Sequence, residues 1–136
     1  MNPYYNQDYT KEQIKNILLI IQDCIRRDRY SISINENRRE NKDFINNYNL
    51  STAKRKDILL KIELEDFCHS LQNTNLGFEH ETLYVFCPQM RLFNFDGEEE
   101  LVDIYTKFNI IDYDAGKRVI AISFHTRNKP LHYMFR

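Results

Sequence analysis

The pattern of hydrophobic and polar positions changes near residue 62 of the chain. Before that point, apolar residues recur at intervals of three and four, as in amphipathic helices. After it, short runs rich in Ile, Val, Phe and Tyr alternate apolar and polar positions, as in strands that face a core on one side. Few connections look long enough for parallel crossovers. The order predicts an α+β domain in which N-terminal helices pack on a small antiparallel β-sheet.

Capping signals mark where the helices of the first half begin. Thr10 with Gln13 three residues later is a capping box, and Ser51 is a good N-cap. The chain is expected to form one domain over residues 1–136, mainly helical at 10–62 and an antiparallel sheet at 63–136. In chain order we expect an extended arm at 1–9, a helix at about 11–28, a short extended run at 30–34, a polar break at 35–40, a helix from about 42 and another after 51.

The clearest strand signal lies between Leu101 and His125, where two β-prone runs are joined by a connector containing Asp114 and Gly116. This arrangement predicts a β-hairpin. Alternation gives it one polar face, on or near which we expect the protein to act. That face would carry Tyr105, Lys107 and His125, opposite Ile104, Phe108 and Ile110 of the first strand and Ile120, Ile122 and Phe124 of the second. Other expected features are strands at 65–71, 82–87 and 131–135, a loop at 73–80 and an acidic turn at 96–100.

Composition narrows the class of protein. The 136 residues include nine Tyr and nine Phe and carry a net charge of −1, which suits one globular domain. No apolar run approaches the length needed to cross a bilayer, and the N-terminus lacks the charged head and hydrophobic core of a signal peptide, so a cytoplasmic protein without membrane contact is expected. The three cysteines have neither disulfide nor zinc spacing. No metal and no cofactor are predicted.

Several short segments, in this order, resemble the MqsR-type toxins of the RelE/ParE superfamily. They are Ile58–Leu60 with Leu64–Leu71, Val85–Pro88, Val102–Phe108 and Ile122–His125. Members of that family are toxins of bacterial type II toxin–antitoxin pairs and pack helices on a small antiparallel sheet. The resemblance implies an mRNA endoribonuclease that cuts without a metal, acts alone or at the ribosome, and is held inactive by a cognate antitoxin protein.

By this resemblance, the catalytic positions fall on His69, Tyr105 and His125. The tyrosine of the family is kept, whereas both histidines stand where the family has lysines. Leu83 stands at a further position that is polar in the family. The chain thus departs from the family at the residues that matter for chemistry.

The residue types themselves suit metal-free RNA cleavage. The reaction needs a base for the 2′-hydroxyl proton, an acid for the leaving oxygen and a cation for the charged phosphorane. Histidine titrates near neutral pH, so a pair of histidines can supply the acid and the base. The candidate phosphate contacts are Lys107, Arg127 and Lys129, and the candidate platforms for stacking bases are Tyr105 and Tyr133.

Two alternatives stay open. Regular alternation places His69 with Phe67 and Leu71, facing the core, whereas a β-bulge near Cys68 would turn it to the other face. The chain could also be a non-catalytic protein-binding module of a phage or mobile element that blocks a host factor through its acidic C-terminal half. An exposed acidic patch with a buried His125 would favour the binding module.

Overall fold

A computed structural model describes residues 5–35, 38–113 and 115–136. The predicted α+β class is confirmed, and no helix within these ranges is both long and apolar enough to span a membrane. Residues 1–4 of the expected arm, two residues of the polar break and Asp114 of the hairpin connector lie outside the described residues. The elements are α1 (Lys11–Arg26), β1 (Tyr30–Ile32), α2 (Arg39–Asn47), α3 (Thr52–Leu60), a 3₁₀ turn (Leu64–Asp66), β2 (Phe67–Gln72), β3 (Thr82–Phe86), β4 (Gln89–Phe93), β5 (Glu99–Tyr113) and β6 (Gly116–Thr126).

The helix caps form as their residue types require. The Thr10 hydroxyl accepts from the Gln13 backbone N–H at 3.1 Å, and the Gln13 side chain accepts from the Thr10 N–H at 2.8 Å. The hydroxyl of Ser51 accepts from the Lys54 N–H in the first turn of α3 at 3.1 Å. Helix α1 ends at Arg26 rather than at the expected Asp28, because Asp28 has a φ of 58° that no right-handed helix contains.

Helix α2 begins within the stretch expected to be a polar break. Its buried face is formed by Asn41, Phe44 and Ile45, at positions i, i+3 and i+4. Because the first buried residue is an asparagine, the apolar spacing that predicts a helix begins only at Phe44, after the actual start of α2.

The sheet has six strands in the described part of the chain, with the order β1-β6-β5-β3-β2 and with β4 also paired to β5. The predicted hairpin is β5–β6, whose pairing runs from Ile104 opposite Thr126 to Tyr113 opposite Gly116. Strand β4 is not among the predicted elements, because a proline such as Pro88 usually ends a strand. The proline only interrupts pairing, and its carbonyl accepts a hydrogen bond from Ile104 N–H at 2.8 Å. Strands β3 and β4 therefore line up along β5 as one interrupted strand.

Strand β1 corrects the expectation of an antiparallel sheet. It pairs with β6 in parallel, with Tyr30 opposite Val119 and Ile32 opposite Ala121. The connection between these two strands contains α2, α3 and the other four strands. Local connection lengths do not reveal a partner so distant in sequence.

The two faces of the sheet are covered differently. The helices and one face form the main core, which contains Phe67, Phe86, Phe108 and Phe124. The other face holds a smaller cluster of Cys68, Val85, Cys87 and Tyr105, packed under Leu131 and Tyr133. The run at 131–135, expected to be a strand, is irregular. It lies across this second face, where the Tyr133 hydroxyl donates to Cys87 O at 2.7 Å.

Two register shifts decide which side chains reach the second face. In β2, Phe67 pairs with Phe86 and His69 with Val85, so Cys68 is an extra residue. In β6, Ser123 pairs with Lys107 and Ala121 with Phe108, so Ile122 is extra. The predicted apolar face of Ile120, Ile122 and Phe124 is therefore wrong for its first two residues. Phe124 lies in the main core as predicted, but Val119 and Ala121 lie there in place of Ile120 and Ile122.

Candidate functional site

The second face of the sheet brings the predicted polar residues together. Residues directly opposite in paired strands share a face, and His69, Val85, Lys107 and Ser123 form one such row across four strands. Tyr105 lies opposite His125 in a neighbouring row. The β-bulge at Cys68 is the irregularity that His69 needed to reach this face. All three candidate catalytic residues therefore lie on the sheet face opposite the helices.

Segments near both ends of the described chain cover this face. The ring of Tyr5 stacks on His69 with centroids 3.7 Å apart and an angle of 8°. The Lys129 ammonium lies 5.8 Å from the Tyr5 ring centroid and 5.9 Å from that of Tyr105. Such distances are typical of cation–π contacts. A cation is thereby held between two aromatic rings.

A cavity of about 640 Å³ opens beside this cluster. This volume suits a small organic ligand or a nucleotide. Its lining residues are Tyr5, Arg38, Leu71, Gln72, Asn73, Thr74, Asn75, Leu83, Lys107 and Lys129. Three of these are cations and none is an acid. Within residues 5–35, 38–113 and 115–136, no carboxylate comes within ion-pair distance of Arg38, Lys107 or Lys129.

Lys107 is the most constrained of the three cations. Burial lowers the pKa of its ammonium, and the neighbouring charges of Arg38 and Lys129 lower it further. Its amino group makes no hydrogen bond to another described residue. A half-buried cation without a counter-ion is costly, so the site favours an anion that would neutralise it.

His125 has the geometry of a general base. Its Nδ1 lies 2.9 Å from the carbonyl oxygen of Thr126. A carbonyl only accepts, so Nδ1 carries the proton and Nε2 of the neutral ring keeps its lone pair. The Glu40 carboxylate lies 3.5 Å from Nδ1. The His125 side chain is 13% exposed, so water and small groups still reach it.

Tyr105 is a buried phenol rather than an exposed stacking platform. It is 6% exposed and stacks on His125 with centroids 5.3 Å apart. Burial, and then the nearby Tyr5, Cys68 and Cys87, raise its pKa to about 12. The hydroxyl therefore keeps its proton at neutral pH. It makes no hydrogen bond to another described residue, so it is available as a donor.

His69 and the second stacking candidate, Tyr133, are both covered. His69 is 2% exposed, and its Nε2 is buried without a hydrogen-bond partner among the described residues. Burial, then the charges of Lys129 and Lys107, lower its pKa to about 4. It is therefore neutral near pH 7. The guanidinium of Arg136 lies 3.8 Å from the centroid of the Tyr133 ring, where a base would have to stack.

Arg127 differs from the other predicted phosphate contacts. It forms an ion pair with Asp103 at 3.2 Å, and it does not line the cavity. Sequence reasoning missed Tyr5, Arg38 and Glu40, which come from the N-terminal arm and from the region around the start of α2. Their residue types are common in polar segments, and only the fold brings them to the sheet. A group of three His, Cys, Asp or Glu side chains that could hold a metal ion is not found in the described part of the chain.

Comparisons with protein-family models, with curated proteins and with solved structures find no match to this chain. The likeness to MqsR-type toxins therefore rests on the short motifs alone.

Proposed function

We propose that the chain binds single-stranded RNA at the cavity and cleaves it without a metal. The observation that carries the proposal is the half-buried Lys107, grouped with Arg38 and Lys129 around a cavity that lacks any described acid. A phosphate would neutralise these cations, and the ring of Tyr5, which lines the same cavity, could contact a base. RNA rather than DNA is proposed because His125, which does not line the cavity but lies one row from Lys107 on the same sheet face, could activate a 2′-hydroxyl.

The proposed reaction assigns one role to each group. Nε2 of His125 takes the proton of the 2′-hydroxyl, and the resulting oxygen attacks phosphorus. The bond from phosphorus to the 5′-oxygen breaks, leaving a 2′,3′-cyclic phosphate and a 5′-hydroxyl. Tyr105 donates a hydrogen bond to the phosphorane, the leaving 5′-oxygen takes a proton from solvent water, and Lys107 and Lys129 neutralise the charge. His69 is neutral and covered, so its proposed role is to support Tyr5 rather than to supply a proton.

The first test measures binding and cleavage of a short fluorescent RNA by the purified chain. We expect Lys107→Met to weaken RNA binding at least about tenfold, since it removes the central cation. His125→Ala should abolish cleavage while binding persists, and Tyr105→Phe should slow cleavage without abolishing it. Lys15→Met, an exposed lysine on α1, and His80→Ala, an exposed loop histidine, are the matched controls. Cleavage that survives in His125→Ala would overturn the catalytic assignment.

The cellular role as a toxin has a test of its own. The wild type and His125→Ala are expressed in bacteria while growth and the 5′ ends of cellular RNA are followed. Growth arrest with new mRNA ends in the wild type alone would support a toxin. Normal growth, together with RNA binding in vitro, would favour an RNA-binding protein that does not kill.

A further inference from the structure

Strand β4 and the first residues of β5 form a two-stranded ribbon. We call this ribbon, residues 89–103, the arm; it is distinct from the N-terminal segment 1–9. Strand β4 pairs with β5 alone, from Gln89 opposite Asp103 to Phe93 opposite Glu99. Strand β6 pairs with β5 only from Ile104 onwards. Apart from one bond at its base, where Arg127 N–H donates to Asp103 O, neither edge of the arm is paired to another described strand. Unpaired edges of this kind are templates for an added strand.

The arm has one packed face and one open face. Leu92 and Val102 point into the main core, and Glu100 on the same side accepts from the Tyr48 hydroxyl at 2.6 Å. On the opposite side, Phe93 is 61% exposed and its diagonal neighbour Leu101 is 54% exposed. Phe95 at the tip is 85% exposed. Three large apolar side chains clustered at one end of a ribbon are typical of an interaction surface.

The charges of the arm are strongly one-sided. Its acids are Asp96, Glu98, Glu99, Glu100 and Asp103, against Arg91 as the one basic residue of the segment. Arg91 is already paired with Glu99 at 3.3 Å. Asp96 and Glu98 at the tip form no ion pair with a described residue. Asp103 is paired with Arg127, so the negative charge beside the exposed apolar residues that no described residue neutralises is that of Asp96 and Glu98.

We infer that the arm docks an extended, basic segment of a partner protein. The segment would add as a strand to the free edge of β4, with its apolar side chains on Phe93 and Leu101 and with lysines or arginines facing the acids. A second copy of this chain fits poorly, because each arm carries five acids and one basic residue, so two arms do not complement each other in charge. Nucleic acid fits poorly for the same reason, since its phosphates would meet the same acids.

This surface is separate from the proposed RNA site. Leu101 and Lys107 lie on the same face of β5, six residues apart, which corresponds to roughly 20 Å along a strand. The docking inference therefore stands whether or not the chain cleaves RNA.

The test titrates the full-length, isotope-labelled chain with two synthetic peptides while backbone amide signals are recorded. One peptide alternates valine and lysine, and its control alternates valine and glutamate. We expect the lysine peptide to bind at least about tenfold more tightly, with shifts concentrated at residues 89–103. Phe93→Ser should weaken this binding at least about tenfold, and Glu98→Lys should weaken it without removing apolar surface. Leu19→Ser, an exposed leucine on α1, is the matched control and should bind as the wild type does.

Several results would overturn the inference. These are the absence of shifts at the arm, equal affinity for both peptides, and unchanged binding in a folded Phe93→Ser or Glu98→Lys. A fourth is arm signals that broaden as the protein alone is concentrated, which would identify a second copy as the occupant. A fifth is an RNA oligonucleotide that shifts the arm rather than the residues around Lys107.

Discussion

Lys107 and His69 lie in one row of the sheet, separated by Val85, and the charge of Lys107 acts on His69. Each is a base whose protonated form is disfavoured by burial, and the charge of Lys107 adds to the effect on His69. Neither has a described acid beside it. Buried ionisable groups without a partner lower the stability of the folded chain. Such groups occur more often at ligand sites than elsewhere in a protein.

His69 should make stability depend on pH. Above its ordinary pKa of 6.5, both the folded and the unfolded chain hold it neutral. As the pH falls towards 4, the unfolded chain takes up a proton that the folded chain does not, so the free energy of unfolding falls. The shift from 6.5 to about 4 corresponds to about 3 kcal/mol. His69→Phe, which keeps a flat ring against Tyr5, should remove this loss and should also raise stability near pH 7, because the unpaired Nε2 is gone.

Urea unfolding of the wild type and of His69→Phe at pH 7 and at pH 4.5 measures the difference. His80→Phe, at an exposed position, should keep the pH dependence of the wild type. If the two histidine variants lost stability equally on acidification, the assignment of the effect to His69 would be wrong.

At the level of single residues, the polar face could be predicted because alternation along one strand fixes it. Tyr105 and Lys107 needed only that rule, and His125 lies beyond the shift in β6, where its pairing with Tyr105 is regular. The face of His69 depends on a bulge that the sequence allowed but did not require. Arg38 and Tyr5 could not be predicted, since they reach the cavity from segments far from the sheet in sequence.

Asn41 connects α2 with the irregular part of β6 and with the residue that follows β1. Its amide donates to Ser33 O at 2.8 Å and to Ile122 O at 2.9 Å, and its oxygen accepts from Phe124 N–H at 2.8 Å. A bulge leaves backbone groups unpaired, and this one side chain satisfies two of them. The bulge in β6 and the parallel strand β1 are thus stabilised by the same buried amide.

Asn41→Leu should therefore be strongly destabilising. It leaves two carbonyl groups and one N–H without their partner in a buried region, which should cost about 3 kcal/mol or more. Chemical denaturation measures the loss. Asn47→Leu, an exposed asparagine at the end of the same helix, should change stability little. A loss as small in Asn41→Leu as in Asn47→Leu would show that water replaces the side chain.

Elements could be predicted where their signals are local. The caps at Thr10 and Ser51 and the β5–β6 hairpin depend on neighbours in sequence, and all three are present. Strand β4 was hidden by a proline, and the parallel pairing of β1 depends on a partner almost ninety residues away. Non-local pairing is decided by the packing of the whole sheet, which no short window of sequence contains.

The whole molecule separates its charges along the longest strand. Strand β5 spans 15 residues, with the cationic cavity near its middle and the acidic arm at its beginning. The net charge of −1 conceals this arrangement. A nucleic acid would be attracted to the cavity and repelled by the arm, which would limit its contact with the protein to a few phosphates.

RNA binding should therefore depend on salt only moderately. With three cations that meet phosphates, the logarithm of the association constant should fall with the logarithm of salt concentration with a slope of about −2. Fluorescence anisotropy over a range of salt concentrations gives the slope. Lys129→Met should reduce it by roughly one third, whereas Lys15→Met should leave it unchanged. A slope several times steeper would mean that RNA contacts a much larger basic surface.

The bulge in β2 also determines where this strand tolerates a change in length. Because Cys68 is the extra residue, a protein that lacked it would still direct Phe67 to the helices and His69 to Lys107. The loss of one residue elsewhere in β2 would exchange the two faces for part of the strand. A one-residue gap at Cys68 would therefore keep both faces of the strand and remove only the buried Cys68 side chain from the smaller cluster, whereas a gap at Ser70 would shift the residues that follow it to the opposite face.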